Sequence, residues 1–158
     1  MNPQAAGELV HLWLVAHEDP TAVATQRGPV SRAVRELAPD TDQVGIGHTP
    51  TGPAMLVRLD KALLVLQARP PAAAGDSTTP VNARLLQLDP ALCELEVTER
   101  VEQREEGQVL VHSWQLRASG LELTIVGCEG PRPEGGAGHD LNETLARRVA
   151  STLGWVLP

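Results

Sequence analysis

The side chains able to do chemistry in this chain are five histidines, two cysteines and a run of glutamates between Glu94 and Glu106. His11, His17, His48, His112 and His139 show neither the i, i+4 spacing nor the Cys-x-x-Cys partners of a metal site, so no metal or cofactor is expected. Glu94, Glu96, Glu99, Glu102, Glu105 and Glu106 come nearest to a carboxylate constellation. Strand alternation turns Glu94, Glu96 and Glu102 outward into solvent and Glu99 inward. A carboxyl enclosed there has a raised pKa and suits a general acid, whereas at an open sheet margin it is an ordinary solvated carboxylate. His112 and Trp114 fall on the same face, where a histidine reads first as a core residue with a satisfied hydrogen bond. Glu99, His112 and Trp114 are therefore the candidate pocket. His48 and His139 border loops, and a meeting of the two is a further arrangement to look for.

Cys93 and Cys128 fall near opposite ends of one sheet, about 25 Å apart by strand rise, which is beyond disulfide reach and leaves two free thiols. Glu94 and Asp89 beside Cys93 oppose thiolate formation. The glycines of GCEGPRPEGGAGHD precede a helix N-terminus but lack a Gly-Lys-Ser/Thr ending, and Glu134 and Asp140 stand where a phosphate would sit. They read as a connector.

The elements that must position these groups follow from periodicity and turn residues. Asn2 and Pro3 announce a helix over residues 3–17, although the apolar run Leu9–Val15 also suits a strand. A second helix begins near Pro29 and stops by Pro39. Val44 to His48 is a strand, Met55 to Leu66 a hairpin about Asp60-Lys61, and Asn82 to Leu88 another strand. The hairpin is apolar on both faces, and Leu56, Leu63 and Val65, with Trp155 after the last helix, form the candidate interface. Pro70 to Pro80 reads as a surface loop.

From Leu92 to Cys128 the alternation specifies three antiparallel strands. A two-residue loop at Glu106-Gly107 sets Val97 opposite Leu116 and Val101 opposite His112; one at Ser119-Gly120 sets Leu116 opposite Leu123 and Trp114 opposite Ile125. Glu96, Arg117 and Glu122 then align as a charge ladder on the outer face. A loop over 129–139 leads to a helix over 140–154, with Asp140 as N-cap, Glu143 completing a capping box and Leu141, Leu145, Val149, Thr152 and Leu153 as its stripe.

Composition excludes several function classes. The 158 residues are 42% hydrophobic and 21% charged, as expected of one soluble domain over 1–158, and no apolar run is long enough to span a membrane. A net charge of −7 with scattered basic residues argues against nucleic acid. The start lacks a signal peptide and the cysteines lack a disulfide pattern, which places the chain in a cytoplasm. Phe and Tyr are absent and Lys61 is the only lysine, a bias that GC-rich bacterial coding produces.

The hairpin AMLVRLDKALLVLQAR, the strands NARLLQLD, LCELEVTER, QVLVHSWQLRA and LELTIVG, and the helix LNETLARRVASTLG together resemble a pleckstrin-homology-like (PH-like) domain. The resemblance covers roughly the last two thirds of the chain and implies two packed sheets capped by a helix. It also implies an interaction scaffold. Lipid headgroup binding is not carried over, because Thr49-Pro50-Thr51-Gly52-Pro53 has no basic residue where such binders keep a basic loop. The expected protein is thus α+β, with two N-terminal helices, a seven-stranded antiparallel meander and a capping helix. Its expected role is a non-enzymatic protein-binding or adaptor module. The alternatives are a small-molecule binder or enzyme with its pocket at Glu99, His112 and Trp114, and a secretion-chaperone-like or immunity-type protein that dimerises through a sheet edge.

Overall fold

A computed structural model describes residues 1–69, 81–131 and 136–155. Helix α1 (Pro3–Val15) starts where the sequence places it: Asn2 Oδ1 accepts from the Gln4 N–H at 2.8 Å and Pro3 occupies the first turn. The run Leu9–Val15 is helical and buries Leu9, Val10, Trp13 and Leu14. A short helix, α2 (Pro20–Val23), capped by Asp19, precedes α3 (Arg27–Leu37) and is an addition to the two helices expected. Ala38, before Pro39, is extended and ends α3.

Among the described residues eight strands follow: β1 (Val44–Thr49), β2 (Gly52–Leu59), β3 (Ala62–Gln67), β4 (Asn82–Gln87), β5 (Cys93–Arg104), β6 (Gly107–Ala118), β7 (Leu121–Pro131) and β8 (Ala137–His139). They form one antiparallel sheet in the order β4-β3-β2-β1-β7-β6-β5, with β8 on β7, and helix α4 (Leu141–Thr152) closes the fold. The α+β class, the N-terminal helices and the C-terminal helix are as the sequence indicates.

The sheet has to be rolled. Its edge strands β4 and β5 would lie about 29 Å apart if it were flat, yet only five residues join Gln87 to Cys93, a reach of at most about 20 Å. The Cys93 thiol accordingly donates to the Gln87 carbonyl at 3.3 Å. The bend falls between β1 and β7, which share the pair His48↔Thr124. Rolling produces one core inside, where Leu56, Leu63, Val65 and Leu86 meet Trp114, Leu116, Leu123, Ile125 and α4. A second core lies outside, where Met55, Val57 and Leu66 meet α1 and α3.

This arrangement corrects the candidate interface. Leu56, Leu63 and Val65 are buried within the chain, because the roll covers one face of the β2–β3 hairpin and the N-terminal helices cover the other. Trp155 keeps 39% of its surface exposed. The hairpin register, Leu59↔Ala62 through Met55↔Leu66, is the one read from the sequence.

In the long sheet the Ser119-Gly120 turn holds, with both residues at positive φ and Trp114 opposite Ile125. The other turn differs. Its loop is Glu105-Glu106, so Val97 faces Trp114, Val101 faces Leu110 and Glu99 faces His112. Neither glutamate takes a positive φ; Gly107 does, at the fourth position, where a type I turn favours glycine. The shift moves each partner by two residues, which leaves the faces unchanged. On the outer face Arg117 therefore stands opposite Glu94 and reaches Glu96 diagonally at 3.6 Å, while its Nε donates to Glu122 at 3.1 Å.

The expected loop over 129–139 is partly strand: β7 runs to Pro131 and pairs with β8 through Glu129↔His139. The expected loop over 70–80 lies outside the described residues. Among the described residues no helix is long and apolar enough to cross a membrane.

Candidate functional site

The site is built where α4 lands on β6 and β7. Asp140 caps α4, its Oδ1 accepting from the Glu143 N–H at 2.8 Å, while its own N–H donates to the Cys128 carbonyl at 3.0 Å and pins the helix start to β7. Gly127, opposite His112 in the β6–β7 pairing, permits this approach. A Cβ on Gly127 would stand 2.5 Å from the backbone N and Cα of Glu143.

Glu143 is not the return arm of a capping box. Its carboxylate turns into the core and is fully buried. There it accepts from His112 Nδ1 at 2.9 Å, Trp114 Nε1 at 3.0 Å and Arg147 Nε at 2.9 Å. A buried carboxylate needs such donors, because an unpaired one is strongly disfavoured away from water. The network continues on both sides. His112 Nε2 lies 2.8 Å from Glu99 Oε2, Arg147 Nη2 donates to Glu129 at 2.6 Å, and His139 Nε2 lies 3.0 Å from the same Glu129 oxygen.

The sequence-read trio is thus brought together, with a different centre. His112 and Trp114 are buried and their rings meet edge-on at 6.0 Å, whereas the Glu99 side chain is 55% exposed at the sheet margin. Glu143 and α4 occupy the inner side of the trio. His48 and His139 lie apart: their register partners on β7 are Thr124 and Glu129, a separation of about 17 Å along the strand.

From sequence pattern alone Glu143 reads as a capping-box residue, Glu129 belongs to a loop and Arg147 carries no role in a site. A signal was available, since Glu143, Ala146, Val149 and Ala150 form the buried stripe at helical spacing, and Glu143–Arg147 is an i, i+4 ion pair.

Burial works against a charged His112, but the hydrogen bond it donates to Glu99 and the field of Glu143 outweigh it and raise its pKa. Cys128 is pushed up as well, by burial first and by the Asp140 carboxylate that its thiol meets at 3.1 Å, against the opposing pull of Arg104. Among the described residues no group of three or more His, Cys, Asp or Glu side chains is arranged to hold a metal. A cleft of about 470 Å³, lined by Gln108, Leu110, Glu129, Gly130, Gly138 and His139, opens beside the far end of the network. Another, of about 610 Å³, lies across the molecule between His17, Asp19, His48, Thr51 and Gln67.

The near end of the network reaches the edge of the sheet. Among the described residues β5 pairs with β6 alone, and its second half stands clear of the roll. The β-turn bond closing Glu105-Glu106 falls to the flanking pair Arg104 and Gly107, so Arg104, Glu102 and Arg100 direct their backbone groups to β6. Gln103, Val101 and Glu99 direct theirs to the open edge. Val101 is 59% exposed, and Glu102 accepts from Arg104 at 2.9 Å and from Arg100 at 3.0 Å, which hold its pKa down. Comparison with protein-family models, with curated proteins and with solved structures gives no match.

Proposed function

We propose that this chain is a non-catalytic protein-binding module that takes an extended strand onto the free edge of β5. The observation that carries the reading is that, among the described residues, β5 pairs with β6 alone and its second half stands clear of the roll, with an exposed valine at Val101. Edge strands add partners readily unless a protein covers or breaks them. Here charged side chains flank the edge while neither proline nor a covering element interrupts it among the described residues.

A rolled sheet closed by a C-terminal helix is also what supports the PH-like likeness, which belongs to this proposal as a scaffold and not as a lipid binder. The buried network favours binding over catalysis in the same way. Glu143, His112, Trp114 and Arg147 satisfy one another, so Glu99 is held in place and β5 is fixed to α4.

Val101→Pro tests the reading. It removes an N–H that points away from β6 and leaves the ladder intact. A tagged wild-type chain is expected to retain a partner from extracts of its native host that the Val101→Pro chain loses. An identical set of retained proteins for both chains would contradict the reading.

A further inference from the structure

We infer that the strand taken by β5 is β5 of a second copy, paired antiparallel about a two-fold axis at Val101. This rests on the reading of β5 as a binding edge and names its occupant.

The register follows from charge and pleat. A two-fold axis perpendicular to the sheet keeps each face continuous, so it must pass through one residue of the strand. An axis at Glu99 sets Glu99 against its own copy and Glu96 against Glu102. Axes at Arg100 and Glu102 set like charges on themselves, and one at Thr98 opposes Glu94 to Glu102. Axes at Val97 and Gln103 oppose unlike charges, but Val97 packs against the inner core and an axis at Gln103 runs the ladder into the Glu105-Glu106 turn; at Val101 neither these obstacles nor the like-charge conflicts arise. Arg100 then faces Glu102 of the second copy, twice over, and Thr98 faces Arg104. Glu99 faces Gln103, and the two exposed valines meet at the axis.

The backbone agrees with this register. Glu99, Val101 and Gln103 are the residues whose N–H and C=O groups point outward, and they become the hydrogen-bonded pairs Glu99–Gln103, Val101–Val101 and Gln103–Glu99. Opposite-charge and apolar cross-strand pairs each favour such a ladder, while like charges opposed across it disfavour it. The Arg100–Glu102 pair inside each chain is exposed, so its side chains are free to exchange partners.

The experiment is a charge swap read by light scattering on the purified full-length chain. The wild type is expected to be a dimer, Arg100→Glu and Glu102→Arg each to weaken dimerisation at least tenfold, and the double variant to recover it. Val101→Cys, in a chain with Cys93→Ser and Cys128→Ser, is expected to form an intermolecular disulfide on mild oxidation, since hydrogen-bonded pairs bring Cα atoms within about 5.5 Å. Cysteine at Thr21, on α2, should not. A wild type that stays monomeric, or a dimer indifferent to both single swaps, overturns the inference. In that case a native partner lost on Val101→Pro would leave the edge reading standing, and its absence would remove both.

Discussion

His112 Nδ1 lies 2.9 Å from the fully buried Oε1 of Glu143, and the other ring nitrogen faces a second carboxylate, that of Glu99. A neutral imidazole donates through one nitrogen only, so two carboxylates are served at once by the imidazolium. The folded pKa is raised above the ordinary value of 6.5. Stability from the pairing is therefore complete below about pH 6.5 and is lost as pH rises through the raised value. The His112 ring proton shifts should titrate above 6.5 in the native chain, and the urea midpoint should fall on the alkaline side. His112→Asn should flatten that fall, and an unchanged slope would count against the pairing.

Truncating the hub should cost far more than truncating its exposed end. Glu143→Ala leaves buried donors without an acceptor, and a loss of about 3–5 kcal/mol is expected. Glu99→Ala should lie within about 1 kcal/mol of the wild type. Urea denaturation of the two variants measures the difference.

Gly127→Ala should destabilise by about 1–3 kcal/mol, because the atoms a methyl group would meet are the backbone of Glu143 and no rotamer change relieves them. Gly7→Ala in α1, where a Cβ meets nothing within 4 Å, should instead stabilise by about 0.4–1 kcal/mol. Opposite shifts of the urea midpoint are the expected result.

Cys128 should alkylate slowly at neutral pH, since burial and Asp140 both disfavour its thiolate. Asp140→Asn keeps a capping oxygen and removes the charge, so the rate should rise. Mass spectrometry of iodoacetamide-treated chains follows this, and an unchanged rate would contradict the assignment.

The parts of the fold legible in the sequence were those set by local rules. Asn2-Pro3 and Asp140 declared their helices, Ser119-Gly120 declared its turn, and apolar alternation placed Trp114, Leu116 and Leu123 on one face. The Glu105-Glu106 turn was misplaced by one residue, because Gly107 suits either the second loop position or the one after it. The interface at Leu56, Leu63 and Val65 failed for a different reason. Two apolar faces on one hairpin show that both are covered, but whether the chain itself or a partner covers them depends on the roll, which is a tertiary property. Glu143 was hidden for the same reason, since a glutamate three residues after a cap fits a capping box until Gly127 brings β7 close enough to draw it inward.

The most direct measurement is amide hydrogen exchange at Val101 and Glu102 as the concentration of the chain is raised. The Glu102 amide, bonded to β6, should be protected throughout. The Val101 amide should exchange quickly in dilute solution and slow as the chain associates. A Val101 amide that exchanges at the same fast rate at every concentration would contradict self-pairing at this edge.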